Sequence, residues 1–348
     1  MMISNEGIVL FYATIFILII LLVILLYLII RKTLENQETL KVDMIKKEIE
    51  TSLFESISEG KVYERSNRDR FSLKAMEELL KSYSDTVVGT MEIQSITAMA
   101  DKYLSEGYRK VLKGRNWSKR INALYHIEDF QMHQLSDDVR QLLQSRSITR
   151  EEVIVSIRFL AATGRFEEVF EFVNERYTDL TDFDYRSILF KLDEPSFGLL
   201  VERFSECHPT LQWSILEIIS IRKELSYLTF VERIFHLYKG EETGIRALKA
   251  IASIGFTTDI EQFYPLGESS EWQERMLFAK LIRFFPSESS YDILATLIHD
   301  RNWWVRSQAA QSFTKLSKGR ERLIKIMENS HDPYARDIAA EWLQKGEI

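Results

Sequence analysis

Cysteine is nearly absent: Cys207 is the only one in 348 residues, so no internal disulfide and no Cys-based metal cluster can form. Glycine and proline are also scarce, at 13 and 5. Together with 45% hydrophobic and 28% charged residues, this excludes collagen-like, low-complexity and long disordered architectures. An excess of positive charge is missing too. Forty-five Lys and Arg against 52 Asp and Glu give a net charge of −7, opposite in sign to the footprint of a nucleic-acid binder. Strand signals are nearly lacking, and there is no Walker-type loop, no strained nucleophile elbow and no His pair spaced around a Glu as in a zinc protease helix. A reducing, cytosolic setting suits the folded part.

What is present begins with one long hydrophobic run. From Ile8 to Ile30 the chain carries 23 residues without a charge, almost all Ile, Leu, Val, Phe or Tyr. At about 1.5 Å per residue this makes roughly 34 Å of helix, enough to cross a hydrocarbon core of about 30 Å. Tyr12 and Tyr27 stand near its ends as interfacial anchors, and Arg31 and Lys32 follow it directly. With Lys41, Lys46 and Lys47 also C-terminal, and no Lys or Arg before the run, the positive-inside bias predicts a single-pass anchor. Its short N-terminus would lie outside and the bulk of the chain in the cytoplasm. No basic n-region or small-residue cleavage site marks a signal peptide, and no Gly-xxx-Gly face supports tight helix pairing in the membrane. The predicted organisation is an anchor at 1–32, a juxtamembrane amphipathic helix and linker at 33–70, and a cytosolic helical array at 71–348.

In the juxtamembrane part, Leu40, Met44, Ile45, Ile49, Leu53 and Ile57 recur at three- and four-residue steps, with Gly60 as a stop. This helix either caps the following domain or forms a short coiled-coil stalk. Residues 62–70 read as a solvated linker whose Arg65, Arg68 and Arg70 could meet anionic lipid or an acidic partner. Two helical patterns follow, over 72–82 and 92–108.

The array itself is visible as an internal repeat. Arg246, Arg275, Arg306 and Arg336 recur at intervals of 29 to 31 residues, and four positions after each comes Ala250, Ala279, Ala310 or Ala340. Three further on, large apolar residues follow in three copies, Ile282, Phe313 and Leu343. The expected arrangement is arginine outward and alanine inward, the small side chain permitting close helix crossing. Residues 114–127 align without gaps on 300–313, sharing Arg-Asn-Trp, Arg120/Arg306 and Ala123/Ala309. Looser copies fall at Arg158, Arg186 and Gln212.

These residues resemble the HEAT-repeat family, in the short form of about thirty residues also seen in phycobilisome lyase-type repeats. The best match, at 293–316, carries Asp300, Val305, Arg306, Ala309, Ala310, Phe313 and Leu316; the last unit repeats it with Asp332, Pro333, Arg336, Ala340 and Leu343. The resemblance implies an all-α fold, an α-solenoid of seven or eight helical hairpins, here following the one N-terminal transmembrane helix expected from residues 8–30. It further implies that the Asp caps the second helix of a hairpin and contacts an arginine of the array.

Six scattered histidines, His126, His133, His208, His236, His299 and His331, read as core, turn or surface residues. The acidic stretch with Glu167, Glu168, Glu171, Asp179, Asp182 and Asp184 reads as a solvated face. Gly164, Gly244 and Gly255 are expected in loops or at helix ends. Trp117 and Trp303 are expected to close their hairpins. Trp304 occupies a position polar in the family, so Trp304 with Arg301 is the candidate protein-binding patch, Trp and Arg being favoured at interface hot spots. No catalytic residue, metal or cofactor is expected. Solenoids expose long surfaces and build few deep pockets, so the expected function is a membrane-anchored scaffold or adaptor for protein partners, touching lipid through its anchor. Neither nucleic acid nor a small-molecule substrate is expected. The alternatives are an accessory subunit of a multi-span membrane enzyme, such as a polysaccharide-making glycosyltransferase, and, behind it, a lyase-type enzyme.

Overall fold

The computed structural model describes residues 5–63, 69–86 and 89–345, with side chains in the first helix from residue 11. It is all-α, with no strand among the described residues. Two compact units divide the chain, Met1–Phe159 and Leu160–Ile348.

The first unit begins with α1 (Asn5–Glu59), an uninterrupted helix of 55 residues. Its N-terminal part is long and apolar enough to cross a membrane, with a mean hydropathy of 3.4 and no burial against the rest of the protein. Ile8 lies among the residues whose side chains are not described; Tyr12, Tyr27, Ile30, Arg31 and Lys32 are exposed on this helix. Its C-terminal part packs on α2 (Arg70–Ser84) and α3 (Thr90–Tyr103) through Val42, Ile49, Leu53 and Ile57. Leu40 and Met44, expected on that stripe, are exposed, because at 100° per residue both lie about 160° around the helix from Val42. Gly60 ends the helix at φ +69°, a conformation glycine adopts without a Cβ penalty. Arg70 pairs with Glu38 at 2.5 Å and Lys46 with Glu78 at 3.1 Å, so α2 runs parallel to α1. Arg65 and Arg68 lie outside the described residues.

Where the sequence pattern suggested one helix over 92–108, the chain breaks at Leu104 into α3 and α4 (Ser105–Leu112). Ser105 Oγ donates to the Asp101 carbonyl at 2.7 Å, a side-chain bond that competes with the helix ladder and bends it. The helices α5 (Trp117–Asp129), α6 (Ser136–Leu143) and α7 (Arg150–Ala162) follow. Leu80, Ile96, Leu124, Ile127 and Phe130 are fully buried in this unit.

The second unit holds α8 (Phe166–Glu171), α9 (Asp182–Leu189), α10 (Glu194–Glu202), α11 (Pro209–Arg222), α12 (Leu228–Leu237) and α13 (Glu242–Ile254). After a 3₁₀ stretch, Ile260–Glu268, come α14 (Trp272–Ile282), α15 (Glu288–Leu297), α16 (Trp303–Phe313), α17 (Gly319–Asn329) and α18 (Pro333–Lys345). Pro265 sits inside that 3₁₀ stretch. Six helices, α9, α11, α13, α14, α16 and α18, pack each on the next and start 27 to 33 residues apart. Ala250, Ala279 and Ala310 are fully buried at these crossings, as the repeat pattern predicts, whereas Ala340 in the terminal helix is half-buried. Gly244 stands at the N-terminal end of α13. It lies in the first turn of α13, pressed so closely on the Tyr238 carbonyl that a side chain there would overlap it.

Candidate interaction surface

Four of the aligned arginines bend back on the preceding turn, Arg120 and Arg275 buried, Arg306 half-buried and Arg336 still exposed, whereas Arg246 of α13 pairs with Glu242 instead. In α5, α14, α16 and α18 the arginine is the fourth helical residue and folds back on the chain six residues earlier. Arg120 Nη1 donates to the Gly114 carbonyl at 2.9 Å, Arg275 to Ser269 at 2.6 Å, Arg306 to Asp300 at 2.8 Å and Arg336 to Ser330 at 3.4 Å. The turn before each helix has carbonyls with no partner in the helix ladder, and a guanidinium with five N–H groups is suited to take them. In α9 and α11 the same position is held by Tyr185 and Gln212. The Tyr185 hydroxyl donates to the Tyr177 carbonyl at 3.0 Å and Gln212 Nε2 to that of Phe204 at 3.0 Å. Gln212 therefore does in α11 what arginine does elsewhere. The looser copy at Arg158 is out of register: Arg158 is the ninth residue of α7 and pairs with Glu128.

Two of these arginines also reach into the next turn. Arg120, almost fully buried, forms a bidentate pair with the fully buried Glu152 at 2.7 and 3.0 Å. Thr149 and Glu152 make a reciprocal capping box at the start of α7, a Thr-x-x-Glu signal readable in the sequence. In the second unit Arg275 pairs with Asp300 at 2.6 and 2.9 Å. Burial by itself would raise the Asp300 carboxyl, but the Arg275 hydrogen bonds and the Asn302 N–H outweigh it and hold it below the usual carboxylate range. Asp300 thus contacts an arginine, as the resemblance implies, but the cap of α16 is Asn302, whose side chain accepts from the Trp304 N–H. Asp332 does cap α18, accepting from the Tyr334 N–H at 2.9 Å with Pro333 in the first helical position.

The Arg275–Asp300 pair joins the starts of α14 and α16, and a bond from Ser312 Oγ to the Ala279 carbonyl joins them further along, so the two helices run in parallel. Their N-terminal ends share one edge of the second unit. Arg306 stacks over the Tyr334 ring at 5.2 Å, bringing the start of α18 to that edge. Trp303, Trp304 and Tyr334 are exposed there at 46%, 57% and 65%. The two indoles meet edge to face at 4.8 Å, and Arg301, itself exposed, reaches the Ser270 carbonyl at 3.5 Å. Trp304 and Arg301 are therefore neighbours on an accessible edge. Trp303 and, in the first unit, Trp117 are not the buried closers expected of them: each is the first residue of its helix and stays exposed, while Val305, two residues after Trp303, is the buried one. Tyr334, which the sequence reading did not single out, belongs to the same edge; its place two residues after Asp332, matching Trp304 after Asn302, was the available signal.

The groups of chemical interest elsewhere serve packing. Cys207 is buried in the turn before α11, which pushes its thiol up to about 12. His208 caps α11, His126 stacks on Tyr108 and Phe130, and His299 bonds Ser330 Oγ at 2.9 Å. In the first unit a groove of about 500 Å³ is lined by Leu73, Glu77, Tyr103, Tyr108 and Val111, with the Tyr108 hydroxyl donating to Glu77. Among the described residues, no group of three or more His, Cys, Asp or Glu is placed to hold a metal ion. No protein-family model matches the chain, and no curated protein matches it.

Proposed function

We propose that the protein is a membrane-anchored scaffold or adaptor that holds protein partners at the membrane. In this reading residues 8–30 form a single-pass anchor, the N-terminus lies outside, and the helical repeats are HEAT-like hairpins of a cytosolic α-solenoid. The carrying observation is the accessible edge of Trp303, Trp304, Tyr334 and Arg301 on parallel packed helices. Large aromatic and arginine side chains held on rigid elements give an interface its strongest contacts at little entropic cost. The exposed apolar part of α1 supplies the membrane attachment, and the basic residues that follow it supply the orientation.

The test is to crosslink native membranes, isolate the full-length protein and identify what accompanies it, with residues 33–348 as the anchorless control. Soluble proteins retained by the anchorless form and lost in W304A support the scaffold. One multi-span enzyme enriched only with the anchor replaces it by the accessory-subunit reading, and recovery of nothing specific from either form refutes both.

A further inference from the structure

The C-terminal parts of α11, α13 and α14 carry a different surface. Lys249, Lys280, Lys223 and Arg283, from α11, α13, α14 and their ends, converge in a chain whose net charge is −7. A ladder of hydroxyls connects the three helices. Ser220 Oγ donates to Ser253 Oγ at 3.0 Å, and Lys280 Nζ donates to Ser253 Oγ at 2.9 Å. One carboxylate, Glu217, faces the group, and Lys249 already takes it at 2.6 Å. Arg222 is set apart from the cluster by its own pairs with Glu194 and Glu224. Lys223 and Arg283 follow the last residues of α11 and α14, where the helix dipoles favour a cation. Lys280 has no such balance: it is half-buried, its hydrogen bond goes to a neutral hydroxyl, and burial together with Arg283, Lys223 and Lys249 draws its ammonium below the usual lysine value. Exposed apolar side chains lie among these cations. Ile221, Phe256 and Phe284 end the three helices, with Arg283 over the Phe284 ring at 4.7 Å and Gly255 packed on that ring.

We propose that this patch docks an extended acidic segment of a protein partner, its carboxylates meeting Lys280, Arg283 and Lys223 and its apolar side chains meeting Phe256 and Phe284. Composition selects this occupant. The cations converge on Lys280, the carboxylate facing them is already taken by Lys249, and the exposed rings of Phe256 and Phe284 lie beside them. A small inorganic anion would make no use of those rings, whereas an acidic segment carrying apolar side chains uses both features. The patch is distinct from the tryptophan edge and does not depend on partners binding there.

The experiment is fluorescence anisotropy of a fluorescein-labelled peptide of repeated Glu-Glu-Leu triplets against the full-length protein in detergent. The expected result is saturable binding that weakens as salt is raised, falls about tenfold or more in K280Q/R283Q, and persists in K280R. Melting temperatures of all variants are measured in parallel. Should K280Q/R283Q fold poorly, the exposed K223Q must still weaken binding severalfold. The proposal is overturned by equal binding of a Lys-Lys-Leu peptide, by equal affinity of wild type and the folded variants, or by no saturable binding. Displacement of the peptide by inorganic phosphate at matched ionic strength would likewise overturn it, assigning the site to a single anion.

Discussion

Replacing Asp300 by Ala should destabilise the second unit more than any surface substitution, because it strands a buried guanidinium. Arg275 is 5% exposed, and two of its N–H groups go to the Asp300 carboxylate while Nη1 serves the Ser269 and Ser270 carbonyls. Removing one partner of such a pair costs about 3–5 kcal/mol, which for a unit of this size lowers the melting temperature by roughly 6–20 °C. The double variant R275M/D300L should lose about 1–2 kcal/mol, since it buries no unpaired charge and forfeits mainly the bonds to the two carbonyls and to the Asn302 N–H. With R275M and D300L as the single variants, each leaving its buried partner unpaired, the coupling in the double-mutant cycle is then about 2 kcal/mol or more. Thermal and urea unfolding of the full chain, followed by far-UV circular dichroism, measures it. The pH dependence has a definite sign. The folded Asp300 titrates below its unfolded value of about 3.9, so its contribution is complete at neutral pH and is lost as pH falls from about 4 through the folded value. The gap between wild type and D300N should accordingly close below pH ~4. A D300A loss under about 1 kcal/mol, or a double variant as damaged as the sum of the singles, would mean that Arg275 does not depend on Asp300.

Gly244→Ala should cost about 1–3 kcal/mol, through overlap with the Tyr238 carbonyl, and Gly255→Ala about 1–2 kcal/mol, through its φ of +78° and the Phe284 ring; urea unfolding reads both. Trp304→Ala should leave the melting temperature nearly unchanged while weakening partner capture by about 2 kcal/mol, some thirtyfold, in a titration with the partner recovered from membranes. Cys207 should resist maleimide in the native protein at pH 8 and react once unfolded: raising its pKa from 9.0 to about 12 lowers the thiolate fraction by about three orders of magnitude, and burial restricts access further. Deleting residues 1–32 should move the protein from the membrane pellet to the soluble fraction, and retention in the pellet would count against the anchor.

The all-α character and the crossing alanines were legible in the sequence because both follow from local periodicity. Ala250, Ala279 and Ala310 stand one helical turn after the repeated arginine, and only a small side chain fits there. The direction of the arginines was not legible. A charged residue in the first turn of an amphipathic helix ordinarily faces water, whereas in α5, α14, α16 and α18 the unpaired carbonyls of the preceding turn, six residues back, draw it in; the geometry of that turn, which the residue types do not specify, decides it. Gln212 reads from the sequence only as a looser copy, since its equivalence to arginine lies in what it bonds and not in its charge.

By itself, then, the sequence determined the long apolar stretch of α1, its basic flank, the helical content and the thirty-residue recurrence, all of which depend on neighbours along the chain. Tertiary structure alone decided which tryptophans stay accessible, which carboxylates meet Arg120 and Arg275, and that Lys223, Lys249, Lys280 and Arg283 gather on one side. Those outcomes depend on which faces of successive helices are covered. Residues some thirty positions apart become neighbours only when the helices pack, and burial, charge pairing and exposure are set at that step.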